Sequence, residues 1–418
     1  MKHSFLLILS LSLATALGAG AQTEDEINQF RSEIESDLTG NILPFWMEKA
    51  VDPAGGFYGT VVNDGSAIPQ APKSAVMNAR VLWAFSVAYR QYGLESYRKT
   101  ADRAADYYVK HFIDKEFGGA VWSVSAEGEI KDGTKQGYAS AFGIYGLAEH
   151  FRATGSLASL NAAIKLFRTL EDRSHDSVGG GYFETFKRDW TKPEPRFPSR
   201  RPVATKTMNT QINVLKAYSA LYQVWPDKIL RERIVELMDI FRTKLYDKEG
   251  KHLLVNCDDN WNSLEEIHYF GHDIETAWLL SETAEILGDE ELKEGIRQQV
   301  IDLTDEALAS GLVPEGAMQD ERTSRGIRER YSWWSQCETI VGCINAWQIT
   351  GDRKYFDTAR KTWDFAKAHF IDKENGGWFK TITKDCQPAP EPKANEWHGP
   401  YHNSHMEFEL ITRLGVPE

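Results

Sequence analysis

An internal repeat constrains this chain more than any other feature of its sequence. Short turns rich in Asp and Gly recur at Asp52-Pro-Ala-Gly-Gly-Phe57, Asp114-Lys-Glu-Phe-Gly-Gly119, Asp176-Ser-Val-Gly-Gly180, Asp247-Lys-Glu-Gly250 and Asp372-Lys-Glu-Asn-Gly-Gly377. Successive leading aspartates lie 62, 62, 71 and 125 residues apart, and the last step is two periods with a degenerate copy near Pro314-Glu-Gly316 between them. Two copies nearly coincide: His111-Phe-Ile-Asp-Lys-Glu116 returns as His369-Phe-Ile-Asp-Lys-Glu374. A fixed period of this kind marks an array of one supersecondary unit, here six of them.

Between the turns, apolar residues follow helical spacing. The spacing predicts twelve helices: 26–42, 76–92, 97–112, 138–152, 157–173, 207–224, 230–245, 272–287, 292–308, 333–349, 354–370 and 402–414. Gly155, Gly288 and Gly351 fall just past helix ends, where a left-handed cap is wanted. Alternate segments differ in character. Ala139 to Leu147 and Thr276 to Leu280 are apolar almost all round, whereas Glu291 to Leu308 and Arg353 to Phe370 carry charge on one face. Fully apolar helices belong inside and one-faced helices outside. The expected fold is therefore all-α: an (α/α)6 barrel of six helical hairpins, with the Gly-Gly turns forming short β-hairpins over one mouth. Residues 22–418 are read as one catalytic domain.

Residues 1–21 read as a secretory signal, with Lys2, an apolar stretch from Phe5 to Leu17, and Ala19-Gly20-Ala21 as a small-residue cleavage site. That stretch falls short of the ~20 apolar residues a membrane span needs. The mature chain is expected to be exported, periplasmic or secreted, with no membrane partner. Sixty-one acidic against 48 basic residues give a net charge of −13, and no long basic run offsets it, so nucleic acid is disfavoured as a partner. Four cysteines without C-x-x-C spacing read as buried free thiols.

Polar and aromatic residues interrupt the inner helices at one phase of the repeat. Arg80 lies on the second helix, Tyr138 starts the fourth, Asn209 the sixth, His272 the eighth, Trp333 and Trp334 the tenth, and His402 the twelfth. In a closed ring these helix starts surround one cavity. Packing alone does not place polar groups at the same end of alternate helices, which favours function for the set. Taken singly, each has a plainer reading: a structural His, a core Trp pair, a buried Arg in an ion pair. Glu275 follows His272 by three residues, so its carboxylate is placed to orient the imidazole or to bind a substrate hydroxyl. Two histidines from different helices facing one pocket make a two-base proton-transfer pair. Three other readings stay open. His398, His402 and His405 are candidate metal ligands, although Pro400 breaks any single helical face through them. The carboxylates of this region, Glu338 included, suit a glycosidase. A non-catalytic sugar-binding toroid shares the aromatic platforms. No phosphate-binding or dinucleotide glycine motif is present in the mature chain, which points to chemistry without a nucleotide.

Five segments in order and spacing resemble the N-acylglucosamine 2-epimerase superfamily, most closely its cellobiose (mannobiose) 2-epimerase branch. They are Asn78-Ala-Arg80, Met208-Asn-Thr210, Gly271-His-Asp-Ile-Glu275, Trp333-Trp-Ser-Gln-Cys-Glu338 and Trp397-His-Gly-Pro-Tyr-His-Asn403. The resemblance implies an enzyme that inverts C2 of a reducing-end aldose in a small oligosaccharide, without metal or redox cofactor. It implies His272 and His402 as the acid/base pair with Arg80 at the sugar oxygens. It places Tyr138, Asn209, Asn213, Glu275, Trp333, Trp334 and Glu338 around the substrate, and Trp397 under a second sugar ring. A monosaccharide 2-epimerase or an aldose-ketose isomerase is the alternative within the same chemistry. The chain departs from the branch twice. Asn213 stands where Met-Asn-Thr-x-x-His places a histidine, and Trp397-His-Gly-Pro-Tyr-His402 replaces Trp-Lys-Cys-Pro-Tyr-His. Asn213 can replace a hydrogen bond but cannot relay a proton.

Overall fold

The computed structural model describes residues 23–193 and 204–415; the expected signal segment 1–21 lies outside the described residues. The helices are α1 (Glu24–Asp37), α2 (Leu43–Glu48), α3 (Ala75–Tyr92), α4 (Glu95–Tyr107), α5 (Gly137–Thr154), α6 (Leu157–Arg173) and α7 (Met208–Val224). They continue as α8 (Lys228–Thr243), α9 (Phe270–Leu287), α10 (Glu290–Gly311), α11 (Trp333–Thr350), α12 (Arg353–His369) and α13 (Tyr401–Arg413). One of the expected twelve is broken: the first continues through a π turn at Leu38–Ile42 into α2, with Pro44 in the first turn of that short helix. The third expected helix ends in a similar π turn at Tyr108–Phe112.

Six inner helices form the ring. α3 packs on α5, α5 on α7, α7 on α9, α9 on α11, α11 on α13, and α13 returns to α3, which closes it. Each inner helix also carries an outer partner: α4, α6, α8, α10, α12 and, for α13, α1. This is the (α/α)6 barrel the sequence predicts. The inner helices are buried along most of their length, as in α3, where every residue from Ala75 to Ala88 is buried. Outer helices such as α4 and α12 bury one stripe only. Close approach of inner neighbours needs small residues. A Cβ at Gly146 of α5 would stand 2.9 Å from the carbonyl oxygen of Ala79 on α3, so helix propensity of about 1 kcal/mol is given up there for packing. Gly93, Gly155, Gly288 and Gly351, at φ between 61° and 75°, end α3, α5, α9 and α11 and release the chain into the outer helix.

The Gly-Gly turns do more than form hairpins. Isolated antiparallel bridges such as Ile113–Ala120, His175–Tyr182 and Ile371–Trp378 close them, but most two- and three-residue ladders join neighbouring repeats. Lys73–Ser74 pairs with Ser123–Val124, Lys206–Thr207 with Asn256–Cys257, and Arg330–Ser332 with Thr381–Thr383. These ladders sit just ahead of the inner helices and so fix where each begins. A buried lysine ties most of them to a turn. Lys73 reaches Asp52 at 2.6 Å, Lys135 reaches Asp114 at 2.9 Å, Lys206 reaches Asp176 at 2.6 Å, and Lys393 pairs with Asp372. All four cysteines are free, and three are buried.

Candidate active site

The inner helices run parallel, and their first two turns enclose a cavity of about 250 Å³. Arg80 (α3), Asn213 (α7), Glu275 (α9) and Glu338 (α11) are each the sixth residue of their helix, and Tyr138, Asn209, His272 and His402 lie in the first turns. Six helix N-termini therefore point at one space, whose positive potential favours a developing oxyanion and disfavours imidazolium.

His402 is held on three sides. Its Nδ1 meets Glu338 Oε1 at 2.6 Å, its Nε2 lies 3.4 Å from Arg80 Nη2, and the rings of Trp333 and Trp334 are 5.8 and 5.9 Å away. Glu338 in turn accepts the indole N–H of Trp278 at 2.8 Å. Burial pushes the His402 imidazole well below its usual range, and the Arg80 charge adds to this. Burial, and then the charge of Glu275, push the Glu338 carboxyl well above the usual carboxylate range. Both members of the pair are thus biased to their uncharged forms.

His272 is held differently. Its ring lies 4.6 Å from Trp334 and edge-on to Tyr269 at 5.4 Å, and its Nδ1 has no hydrogen-bond partner among the described residues. Burial lowers its pKa below 6.5, with the charges of Glu275 and Asp273 pulling the other way. The two imidazoles therefore share one indole, Trp334, on the wall of one cavity.

Arg80 is 3% exposed, and its guanidinium is aimed by three fixed contacts. It donates to the Tyr138 hydroxyl at 2.7 Å and to the carbonyl oxygen of Trp397, and lies over the Phe142 ring at 4.6 Å. Trp397, 40% exposed, packs on Trp122 at 5.2 Å at the open end of the cavity. Asn213 faces the cavity too, its amide nitrogen donating to Asn209 O at 2.8 Å and Asn209 Oδ1 at 3.1 Å.

Arg80, Tyr138, Asn209, Asn213 and His272 all line this space, as do Glu275, Trp333, Trp334, Trp397 and His402. Two expectations need correction. Glu338 does not line the cavity; it stands behind His402, with one carboxylate oxygen on His402 Nδ1 and the other on the Trp278 indole N–H. Glu275 lines the cavity, but of its two expected roles it does not orient His272, since its carboxylate takes the ammonium of Lys216 at 2.6 Å. The sequence reading missed Arg330, Lys380 and Glu391, which line the mouth from the ladder ahead of α11 and from the loops before α13. Lys380 and Glu391 form an ion pair at 2.5 Å there.

Comparison with known proteins bears on the fold and the family. The family model for N-acylglucosamine 2-epimerase (GlcNAc 2-epimerase) matches residues 56–405. A cellobiose 2-epimerase of Bacteroides fragilis is 40% identical over 93% of this chain and 99% of its own length. One from Ruminococcus albus is 34% identical over 91% and 98%. The solved structure of cellobiose 2-epimerase from Bacillus thermoamylovorans superposes with a TM-score of 0.89 at 34% identity, covering 92% of this chain and all of that one. A D-mannose isomerase, 18% identical with a TM-score of 0.79, shares the fold.

Proposed function

The chain belongs to the N-acylglucosamine 2-epimerase family and is a carbohydrate epimerase, and from that premise we propose that it inverts C2 of the reducing-end aldose of a β-1,4-linked disaccharide, cellobiose or mannobiose, using His272 and His402. One observation carries the proposal: two imidazoles on different helices lie against the same Trp334 indole, beside an arginine, in a single open cavity.

The reaction follows from that arrangement. A pyranose has no acidic C2 proton until its ring opens. His402 assists opening at Nε2, passing a proton between C1 hydroxyl and ring oxygen. The aldehyde so formed acidifies C2. One imidazole removes that proton and leaves a planar cis-enediolate, whose negative oxygen faces the guanidinium of Arg80. Rotation about the C2–C3 bond presents the other face, and the second imidazole returns a proton to C2. Proton count is conserved, because one ring gains what the other gives. Glu338 makes the exchange easier at His402. As Nε2 gains or loses a proton, the 2.6 Å contact at Nδ1 lets the carboxyl take up or supply one, so the buried ring avoids an unpaired charge. The family resemblance, not the geometry, assigns ring opening to His402. The secretory pattern of residues 1–21 supports placing this chemistry outside the cytoplasm.

Incubation with cellobiose or mannobiose in heavy water tests the reading. Deuterium is expected at C2 of the epimeric product, with no monosaccharide released. Free sugar would move the assignment to a glycosidase, and a ketose product to an aldose-ketose isomerase.

A further inference from the structure

A second polar cavity, about 100 Å³, lies deeper along the barrel axis and is lined by Lys216, His405, Glu282 and Glu409 among others. Lys216 lines this inner chamber and not the substrate cavity, whereas its partner Glu275 lines the substrate cavity. The pair stands between the two spaces, each side chain 4% exposed. Lys216 sits one turn below Asn213 on the same face of α7, and its ammonium lies 4.9 Å from the Tyr401 ring and 5.5 Å from that of Trp278. Cation–π contacts to both rings and the 2.6 Å bond fix it in place.

A buried ion pair contributes little to stability over two apolar residues of the same volume, so this one asks for another role. We propose that Lys216 is a positioning residue for the epimerisation: from behind the cavity wall it holds the Glu275 carboxylate charged and aimed at the hydroxyls of the bound sugar. The inference rests on the function proposed above.

The groups facing Glu275 make the lysine decisive. They are Lys216 from α7, Tyr138 from α5, Glu338 from α11, His405 and the neutral Tyr401 from α13, and His272 on its own helix. Tyr138 is neutral, Glu338 is acidic, and burial holds both histidines below their usual range. Lys216 is therefore the member of this group that meets Glu275 in an ion pair. Burial pushes Glu275 up, and the Lys216 ammonium, by its charge and its hydrogen bond, does most to bring it below the usual carboxylate range, with His272 and His405 adding to this. A charged carboxylate accepts hydroxyl hydrogen bonds, and those bonds are stronger than neutral ones.

Lys216→Met, Lys216→Arg and the double variant Lys216→Met/Glu275→Gln test this, with C2 deuterium exchange from disaccharide as the assay. Wild-type exchange is the control for the proposed function, and its absence would refute that function before Lys216 is tested. With wild type active, Lys216→Met is expected to lower kcat/KM about 10–100-fold. Its acid limb should move to higher pH, because an unpaired Glu275 protonates earlier and His272 and His402 lose a charge that helps to hold them down, while Lys216→Arg keeps the limb near wild type. If Lys216→Met fails to fold, the double variant removes both charges together, and above the acid limb it should match Glu275→Gln alone in rate. The inference is overturned by a Lys216→Met enzyme with unchanged rate and acid limb, or by a double variant much less active than Glu275→Gln.

Discussion

Glu338 Oε1 lies 2.6 Å from His402 Nδ1, while its other oxygen receives the Trp278 indole N–H. This pairing distinguishes His402 from His272, whose Nδ1 is unbonded among the described residues. In Glu338→Gln the amide oxygen must stay with Trp278, a donor only, so the amide nitrogen turns toward Nδ1. That fixes Nδ1 as an acceptor and Nε2 as a donor, and His402 can no longer act as a base. We expect kcat to fall by about 10²–10⁴-fold with KM little changed. Steady-state kinetics, with circular dichroism to confirm folding, check this; near-native kcat would show that the carboxyl takes no part in proton exchange.

The pH dependence follows from the same two rings. A base must be uncharged, and burial places the pKa of each histidine below 6.5, helped by Arg80 at His402. Lowered values keep the neutral forms populated as pH falls, so activity is lost only once pH drops through them. kcat/KM should stay level across pH 6.5, with its acid limb below that value. A limb at or above 6.5 would mean that burial does not lower the two imidazoles, and activity that rises as pH falls would mean that they work from the charged form.

Trp397 presents its indole at the open end, while Arg80 is bonded to its backbone carbonyl. Trp397→Ala therefore removes the ring without freeing the guanidinium. The family resemblance puts a second sugar on that ring. KM for the disaccharide should rise about 2–10-fold, and KM for a monosaccharide aldose should hardly move. Equal changes for both substrates would place the ring's role elsewhere.

The sequence carried the helix faces well and the contacts between helices poorly. Period and burial pattern placed Arg80, Tyr138, His272, Trp334 and His402 around one space because face is set locally, by spacing along a helix. Glu338 holds the same helix position as Arg80, Asn213 and Glu275 but is covered by His402 and Trp278, and how α11 sits against α13 and α9 is something no local pattern encodes. Lys216 and Glu275 meet across two helices, so no spacing announces them. Arg330, Lys380 and Glu391 come from ladder and loop segments outside the helix starts, where neither period applies. One long-range signal was nevertheless present. Asp52 and Lys73, Asp114 and Lys135, and Asp372 and Lys393 are all 21 residues apart, and all three are buried pairs.

Those repeated pairs make a graded stability prediction. Lys73 is the ammonium that neutralises Asp52, and it also donates to Gly55 O at 2.7 Å. Lys135 shares Asp114 with Arg188, whose Nε and Nη2 reach the carboxylate at 2.9 and 3.2 Å. Lys73→Met leaves a buried carboxylate without a counter-charge, at a cost of about 3–5 kcal/mol. Lys135→Met leaves Asp114 still paired, so its loss should be clearly smaller, and adding Arg188→Ala should restore the full penalty. Chemical denaturation of the three variants measures this ordering. Equal losses for Lys73→Met and Lys135→Met would show that Arg188, itself 40% exposed, is too well solvated to stand in for the lysine.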